Sequence, residues 1–306
     1  MSQTALWSDR IYQETSLLII GFIALVGIIL FVMRKKTPHF TSAWASVKSW
    51  FFVAPILLFV FALPSPWPLV FLVFAGIFSA KTFFQMVGIY HRSYFVWATY
   101  LFMIALGFAT YHRFDGAYNV APMIFLGLVS TIPLIRNSFT HMVQYMALAL
   151  MACIFFGWSF MHLGRLLMMD GGVLLVIYLF ILTEFSENIS LATSRLFGRI
   201  KPFSKISSRV TLEGVLVSVL FSLLLAWAMR HLLPVRSEQF WIAAGLTAAI
   251  FGRFGDLILS VIRKDLGIKD TGVFIFGRGD ILSRTDKLIF VGPMYYYIFL
   301  YLSRNY

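Results

Sequence analysis

Residues 239–262 read Gln-Phe-Trp-Ile-Ala-Ala-Gly-Leu-Thr-Ala-Ala-Ile-Phe-Gly-Arg-Phe-Gly-Asp-Leu-Ile-Leu-Ser-Val-Ile. The stretch carries one basic side chain, Arg253, and one acidic side chain, Asp256. It is long enough to cross a hydrocarbon core, which takes about 20 mostly apolar residues per helix. Asp256 has no task in setting topology. A carboxylate near the membrane interior is costly unless it is paired, hydrated or metal-bound, so its position marks a functional site.

The rest of the chain reads the same way. Of 306 residues, 60% are apolar, 18% aromatic and only 12% charged, against about a quarter charged in soluble domains. Apolar stretches recur near 17–33, 49–64, 67–80, 94–110, 120–135, 144–163, 172–190, 211–230 and 287–303. The sequence therefore predicts an all-α polytopic membrane protein with about nine to ten transmembrane helices, ten being the preferred count. Spans 49–64 and 67–80 are short and are separated only by the Pro64–Pro68 turn, and a single kinked crossing there would invert everything downstream. Basic residues test that alternative, because cytoplasmic loops carry their excess. With ten spans and an external N-terminus, nineteen of the twenty-five lysines and arginines face the cytoplasm.

Residues 1–306 are expected to form one integral membrane domain. Its first part, 1–170, supplies scaffold helices, and 171–306 supplies the charged helices and cytoplasmic loops. Nine of the thirteen acids lie from Glu184 onward, and none between Ser16 and Thr110. The net charge of +12 follows from a positive-inside protein facing anionic headgroups and calls for no nucleic acid. Asp9 and Glu14 precede the first apolar stretch, so the first span is expected to be retained. A lone Cys153 excludes an intrachain disulfide and a cysteine metal cluster, and the six histidines lack metal-ligand spacing. Trp158, Trp227 and Trp241 stand where interfacial aromatics are expected.

On a helix, positions four and seven apart share a face, which aligns Asp256, Ser260 and Arg263. Lys264, Lys269 and Arg284 are donors suited to phosphate. Gly267, Gly272, Gly277 and Gly279 permit turns that bring backbone amides to an anion. Asp286 opens the last span and can return a second carboxylate to Asp256. Two hard oxygen ligands beside substrate phosphates are the usual Mg²⁺ arrangement. The competing reading makes the cations ordinary membrane anchors that the acids neutralise. Glu184 and Glu187 lie one helical turn apart and share a face with the Ser194 neighbourhood only if that helix continues. Arg195, Gly198, Arg199 and Lys201 suit either a lipid phosphate or a solvated basic loop. Thr211 and Glu213 read equally as a helix cap and a dipole-complementing acid.

The run Gly255-Asp256, Ser260, Arg263-Lys264, Lys269-Asp270-Thr271-Gly272, Phe276-Gly277-Arg278-Gly279-Asp280 and Ser283-Arg284-Thr285-Asp286 resembles the C-terminal signature of the phosphatidate cytidylyltransferase (CDP-diacylglycerol synthase) family. Ser207 to Gly214 is similar to a second block of that family. The resemblance implies transfer of CMP from CTP to phosphatidic acid, giving CDP-diacylglycerol and pyrophosphate in phospholipid biosynthesis. It implies Mg²⁺ as cofactor, and CTP, phosphatidic acid and membrane lipids as partners. Asp256, Asp286, Ser260 and Lys269 would be catalytic. Arg263, Lys264, Arg284, Thr211, Glu213, Ser207 and Arg209 would bind substrate. Asp256 and Asp286 would hold the metal, with Asp280 and Ser283 as candidates for a further ligand. The expected location is a bacterial inner (cytoplasmic) membrane with the site on its cytoplasmic face, and a homodimer is among the assemblies allowed.

Departures from the pattern fall on chemistry: Ser283 stands for an Asp, Arg278 for a His, Phe276 for a Pro and Val210 for a Lys. A catalytically weakened relative acting as a lipid-binding or regulatory membrane protein therefore competes with the enzyme. A transporter ranks last, because the charges gather at one face rather than along a path and no inverted repeat is visible.

Overall fold

Lipid offers no partner for backbone N–H and C=O groups, so apolar spans without closed barrels must satisfy themselves as helices. The computed structural model describes residues 5–35, 38–207, 209–267 and 285–304, and among them there is no strand. The helices are α1 (Arg10–Met33), α2 (Pro38–Ala62), α3 (Trp67–Met86), α4 (Ser93–Tyr111), α5 (Asp115–Asn119), α6 (Ala121–Ile135) and α7 (Met142–Ala152). A wider π-helical segment at Cys153–Ser159 carries α7 into α8 (Met161–Leu167). Then follow α9 (Gly172–Phe197), α10 (Leu212–Ala228), α11 (Glu238–Asp265) and α12 (Leu288–Arg304).

All ten predicted segments are helical, and among the described residues six helices are long and apolar enough to cross a membrane: α1, α3, α4, the joined α7–α8, α9 and α11. The apolar parts of α2, α6 and α10 are shorter, and α12 has 17 residues. Length and composition alone do not confirm the expected nine to ten crossings. Residues 38–86 form two helices, α2 and α3, and not one kinked helix.

The chain divides into two compact units whose boundary falls inside α3, after Phe71. In the first, the Asp9 carboxylate caps α1 by accepting the Tyr12 N–H at 2.7 Å. Tyr12 donates its hydroxyl proton to the Leu58 carbonyl, and Gly27 lets the Phe51 ring lie against the α1 backbone.

In the second unit, Phe83, Phe84, Phe95, Met103, Phe125, Ala149, Cys153 and Phe156 build a core that also takes in Leu259 of α11 and Ile289 of α12. Small residues and hydroxyls join α9, α10 and α11, as is usual where lipid supplies no hydrophobic drive between helices. Tyr178 donates to the Ala226 carbonyl at 2.8 Å, and Ser222 donates to that of Gly245 at 3.1 Å. Where α8 meets α12, His162 is fully buried. Its Nδ1 lies 2.9 Å from the Trp158 carbonyl and 3.1 Å from the Tyr118 hydroxyl, and its Nε2 lies 3.3 Å from the Tyr297 hydroxyl. The Trp158 indole N–H donates to the Tyr118 carbonyl at 3.0 Å, so this tryptophan belongs to a polar cluster and not to a lipid-facing belt.

Candidate active site

The two carboxylates singled out by the sequence meet where α11 passes the start of α12. The meeting depends on Gly255. A Cβ there would collide with the Asp286 carbonyl oxygen and stand 3.1 Å from the Lys287 Cα, so only glycine permits this approach. Asp256, next in the chain, lies near enough for its charge to act on Asp286. Because α11 is helical through Asp265, Asp256, Ser260 and Arg263 share a face, and all three are half-buried. None of the three side chains makes a hydrogen bond among the described residues.

Asp286 is 2% exposed, and its carboxylate accepts one hydrogen bond, from the Lys287 N–H at 2.7 Å. Burial pushes the Asp286 carboxyl up to about 8; the Lys287 charge opposes that push, while Asp256 and Glu187 add to it. A carboxylate so placed is poised to exchange its proton for a cation.

The cations around it are buried rather than free to face headgroups. Lys287 is 7% exposed. Its ammonium donates to Glu184 at 2.6 Å and also to Glu187. Arg253 is 5% exposed and donates to the carbonyls of Glu187 at 2.8 Å and Ser186 at 3.3 Å. Together they lock α9 to α11 and to the start of α12. The Ser186 hydroxyl, between the two glutamates, is buried with no hydrogen-bond partner. The residue before Asp286 is held as well: the Thr285 and Ser79 hydroxyls lie 2.8 Å apart.

The second sequence block lies at the start of α10. Helix α9 does continue past Glu187, to Phe197, which brings the Ser194 hydroxyl 2.9 Å from that of Thr211. Thr211 caps α10 by accepting the Gly214 N–H at 3.1 Å, and Glu213 accepts the Ile200 N–H at 3.0 Å. Thr211 therefore serves as the helix cap, while Glu213 ties the start of α10 to the 198–211 connection. Lys264, exposed, donates to the Lys205 carbonyl at 2.8 Å, tying the end of α11 to the 198–211 connection that holds buried Ser207 and exposed Arg209. Gly267, with φ +65°, ends the helix. Lys269, Asp280, Ser283 and Arg284 lie outside the described residues, as do Phe276, Arg278 and the other glycines of that run.

A helical membrane protein that gathers its acids at one junction of late helices is the class this architecture defines. The chain belongs to the Cytidylyltransferase family, whose model matches residues 44–302. It is 26% identical over 265 residues to the uncharacterized protein YnbB of Escherichia coli (strain K12), covering 83% of this chain and 86% of that one. It is 29% identical over 178 residues to the phosphatidate cytidylyltransferase of Staphylococcus aureus (strain COL), covering 58% of this chain and 66% of that enzyme. The Staphylococcus haemolyticus (strain JCSC1435) phosphatidate cytidylyltransferase is 28% identical over 169 residues, 55% of this chain and 63% of its own. In both named enzymes the match spans slightly less than two thirds of their length.

Proposed function

We propose that this protein is a membrane-embedded nucleotidyltransferase that moves CMP from CTP to phosphatidic acid, giving CDP-diacylglycerol and pyrophosphate. The observation that carries the reading is the close approach of Gly255, the neighbour of Asp256, to the backbone of Asp286, within a run that keeps the spacing of the family it belongs to. An oxygen of the phosphatidate phosphate attacks the α-phosphorus of CTP. The new P–O bond forms as the bond to the bridging oxygen of the β-phosphate breaks, and pyrophosphate leaves. Catalysis of this kind is positioning and charge stabilisation.

The donor chemistry suits Mg²⁺. Two adjacent carboxylates, one of them buried, offer hard oxygens, and Asp256 has no competing hydrogen bond among the described residues. No group of three or more His, Cys, Asp or Glu side chains gathers there among the described residues, which leaves the other positions to phosphate oxygens and water, as is usual for this ion. When bound, Mg²⁺ supplies charge neutralisation on the triphosphate. Arg263 and Lys264 grip phosphate oxygens, Ser260 donates to one, and Lys269 and Arg284 complete the set. Lys287 and Arg253 position the acids by fixing α9. The site faces the cytoplasm, where CTP is available, across a bacterial inner membrane.

One experiment tests this: purified protein in neutral detergent with CTP, phosphatidic acid and Mg²⁺, followed by mass spectrometry of the lipid. CDP-diacylglycerol that forms only when all three are present supports the proposal, and its absence from active-condition controls overturns it. Val210, buried at 2% exposed where the resemblance has a lysine, favours a second reading, a relative that binds lipid and regulates a partner. Phosphatidic acid binding without turnover would select it.

A further inference from the structure

Six basic residues fall outside the lysine- and arginine-rich loops: Arg10, Arg113, Arg165, Arg230, Arg236 and Arg304. Five have a local reason. Arg10 pairs with Glu14 at 2.7 Å, and Arg113 donates to the Met168 carbonyl at 2.9 Å. Arg165 pairs with Asp115, Arg230 pairs with Glu238 at 3.3 Å, and Arg304 closes the last turn of α12, where a cation complements the helix dipole. Arg236 makes no hydrogen bond or ion pair among the described residues.

Arg236 lines a cavity of about 310 Å³ in the α10–α11 connection with Arg230, His231, Ser237, Glu238 and Trp241. That volume is at the lower end of the roughly 300–1,000 Å³ typical of small-ligand sites. The one acid in it is already committed, since Glu238 accepts from Arg230 and also from the Trp241 indole N–H at 2.7 Å. Arg236 therefore leaves an excess of positive charge facing the cavity, and His231 adds a hydrogen-bonding ring beside it. The Arg230 guanidinium lies 5.2 Å from the centre of the Trp227 ring. Trp227 and Trp241 thus flank the cavity with the amphipathic rings that favour headgroup depth. Along α11, eighteen residues separate Glu238 from Asp256, about 27 Å at 1.5 Å per residue. The cavity and the acidic junction therefore stand at opposite ends of one bundle, a hydrocarbon thickness apart.

We propose that this cavity is a phosphate-binding site, built to take the phosphodiester of an anionic phospholipid or a free phosphate, at the membrane face opposite Asp256. Arg236 supplies the principal contact, and His231 and Arg230 supplement it. The inference is independent of the reaction assigned to the acidic junction. Thermal unfolding of the purified chain in neutral detergent, titrated separately with dihexanoyl phosphatidylglycerol, dihexanoyl phosphatidylcholine and inorganic phosphate, tests it. Phosphatidylglycerol should stabilise the wild type, Arg236→Gln should weaken its apparent Kd about tenfold, as loss of one charge-assisted contact does, and Arg236→Lys should retain part of the affinity. An Arg236-dependent response to inorganic phosphate of equal strength would support the site and identify a free anion as its ligand. Equal stabilisation by phosphatidylcholine, no response to either phosphate source, or a response indifferent to Arg236→Gln would overturn it. Arg236 is exposed, so its variants leave the fold in place for the comparison.

Discussion

Both the junction of α8 with α12 and the junction of α11 with α12 bury polar groups, and they do so in opposite ways. Around His162 the network is closed. Both ring nitrogens have partners, Tyr118 donates to the Trp158 carbonyl at 2.7 Å, and Arg165 reaches Asp115 and Asn119 with its guanidinium 4.6 and 4.8 Å from the Tyr118 and Tyr296 rings. Around Asp286 the network is open: Asp256 has no hydrogen bond among the described residues, Asp286 has one, and the Ser186 hydroxyl has none. Buried polar groups that satisfy one another rigidify a fold, whereas groups left short of partners cost stability unless a ligand completes them. The difference separates a structural cluster from a site.

The contrast is broken most directly by exchanging outcomes between the clusters. Asp286→Ala should lower CTP turnover by about 10³-fold or more, the scale of removing a group that stabilises transition-state charge. His162→Phe should leave KM for CTP unchanged in the folded fraction. Initial rates on both variants check this, and equal losses would erase the distinction.

Next in size is Lys287→Met, which removes the ammonium shared by Glu184 and Glu187 and should cost about 3–5 kcal/mol, as breaking a buried pair from one side does. Adding Glu184→Gln and Glu187→Gln should restore most of the melting temperature. A triple variant as unstable as the single one would show that the ammonium does more than neutralise.

A third expectation concerns pH. The folded chain holds the Asp286 proton up to about 8, while an unfolded carboxyl releases it near about 3.9. The metal-free protein binds more protons than its unfolded chain in that window, so its stability should fall as pH rises from about 4 to about 8 and level off above. Mg²⁺ favours the ionised form, so it should raise the melting temperature more at pH 8 than at pH 6. A Mg²⁺ effect that ignores pH, or that survives Asp286→Asn, would remove Asp286 from the metal. The smallest effect is Tyr118→Phe, which should cost about 1–2 kcal/mol for hydrogen bonds lost inside the closed cluster without altering turnover; parallel melting and rate measurements decide it.

The helices were legible because the 20-residue apolar scale is a strong physical signal, and the Asp256, Ser260, Arg263 face followed from helical periodicity. The number of crossings was harder to read, because α6 and α10 are apolar but short for a full span. The Lys287–Glu184–Glu187 clamp was not legible: it joins residues about a hundred positions apart, and a lysine at a span end looks the same whether it points to headgroups or to acids. Arg253 was hidden for the same reason. Thr211 and Glu213 sat on residue types that serve caps and substrates alike, so only the hydrogen bonds from Gly214 and Ile200 reveal that Thr211 caps α10 and Glu213 ties it to the preceding connection. The partner of the Trp158 indole was hidden because Tyr118 comes from α5, forty residues earlier in the chain.

The hydroxyl pair of Ser79 and Thr285 has a consequence for biosynthesis. Helices enter the bilayer in the order in which the ribosome delivers them, and Ser79 arrives some two hundred residues before its partner. Until then it also has a home, since its hydroxyl donates to the Ala75 carbonyl at 2.8 Å within α3, which lets it wait in lipid without an orphaned group. A nascent chain halted before Thr285 holds Glu184, Glu187, Arg253 and Asp256 but neither Asp286 nor the lysine that clamps the glutamates. Translation therefore acts as a timer: the acidic junction closes only with the last helix, and no partly made chain carries a finished site.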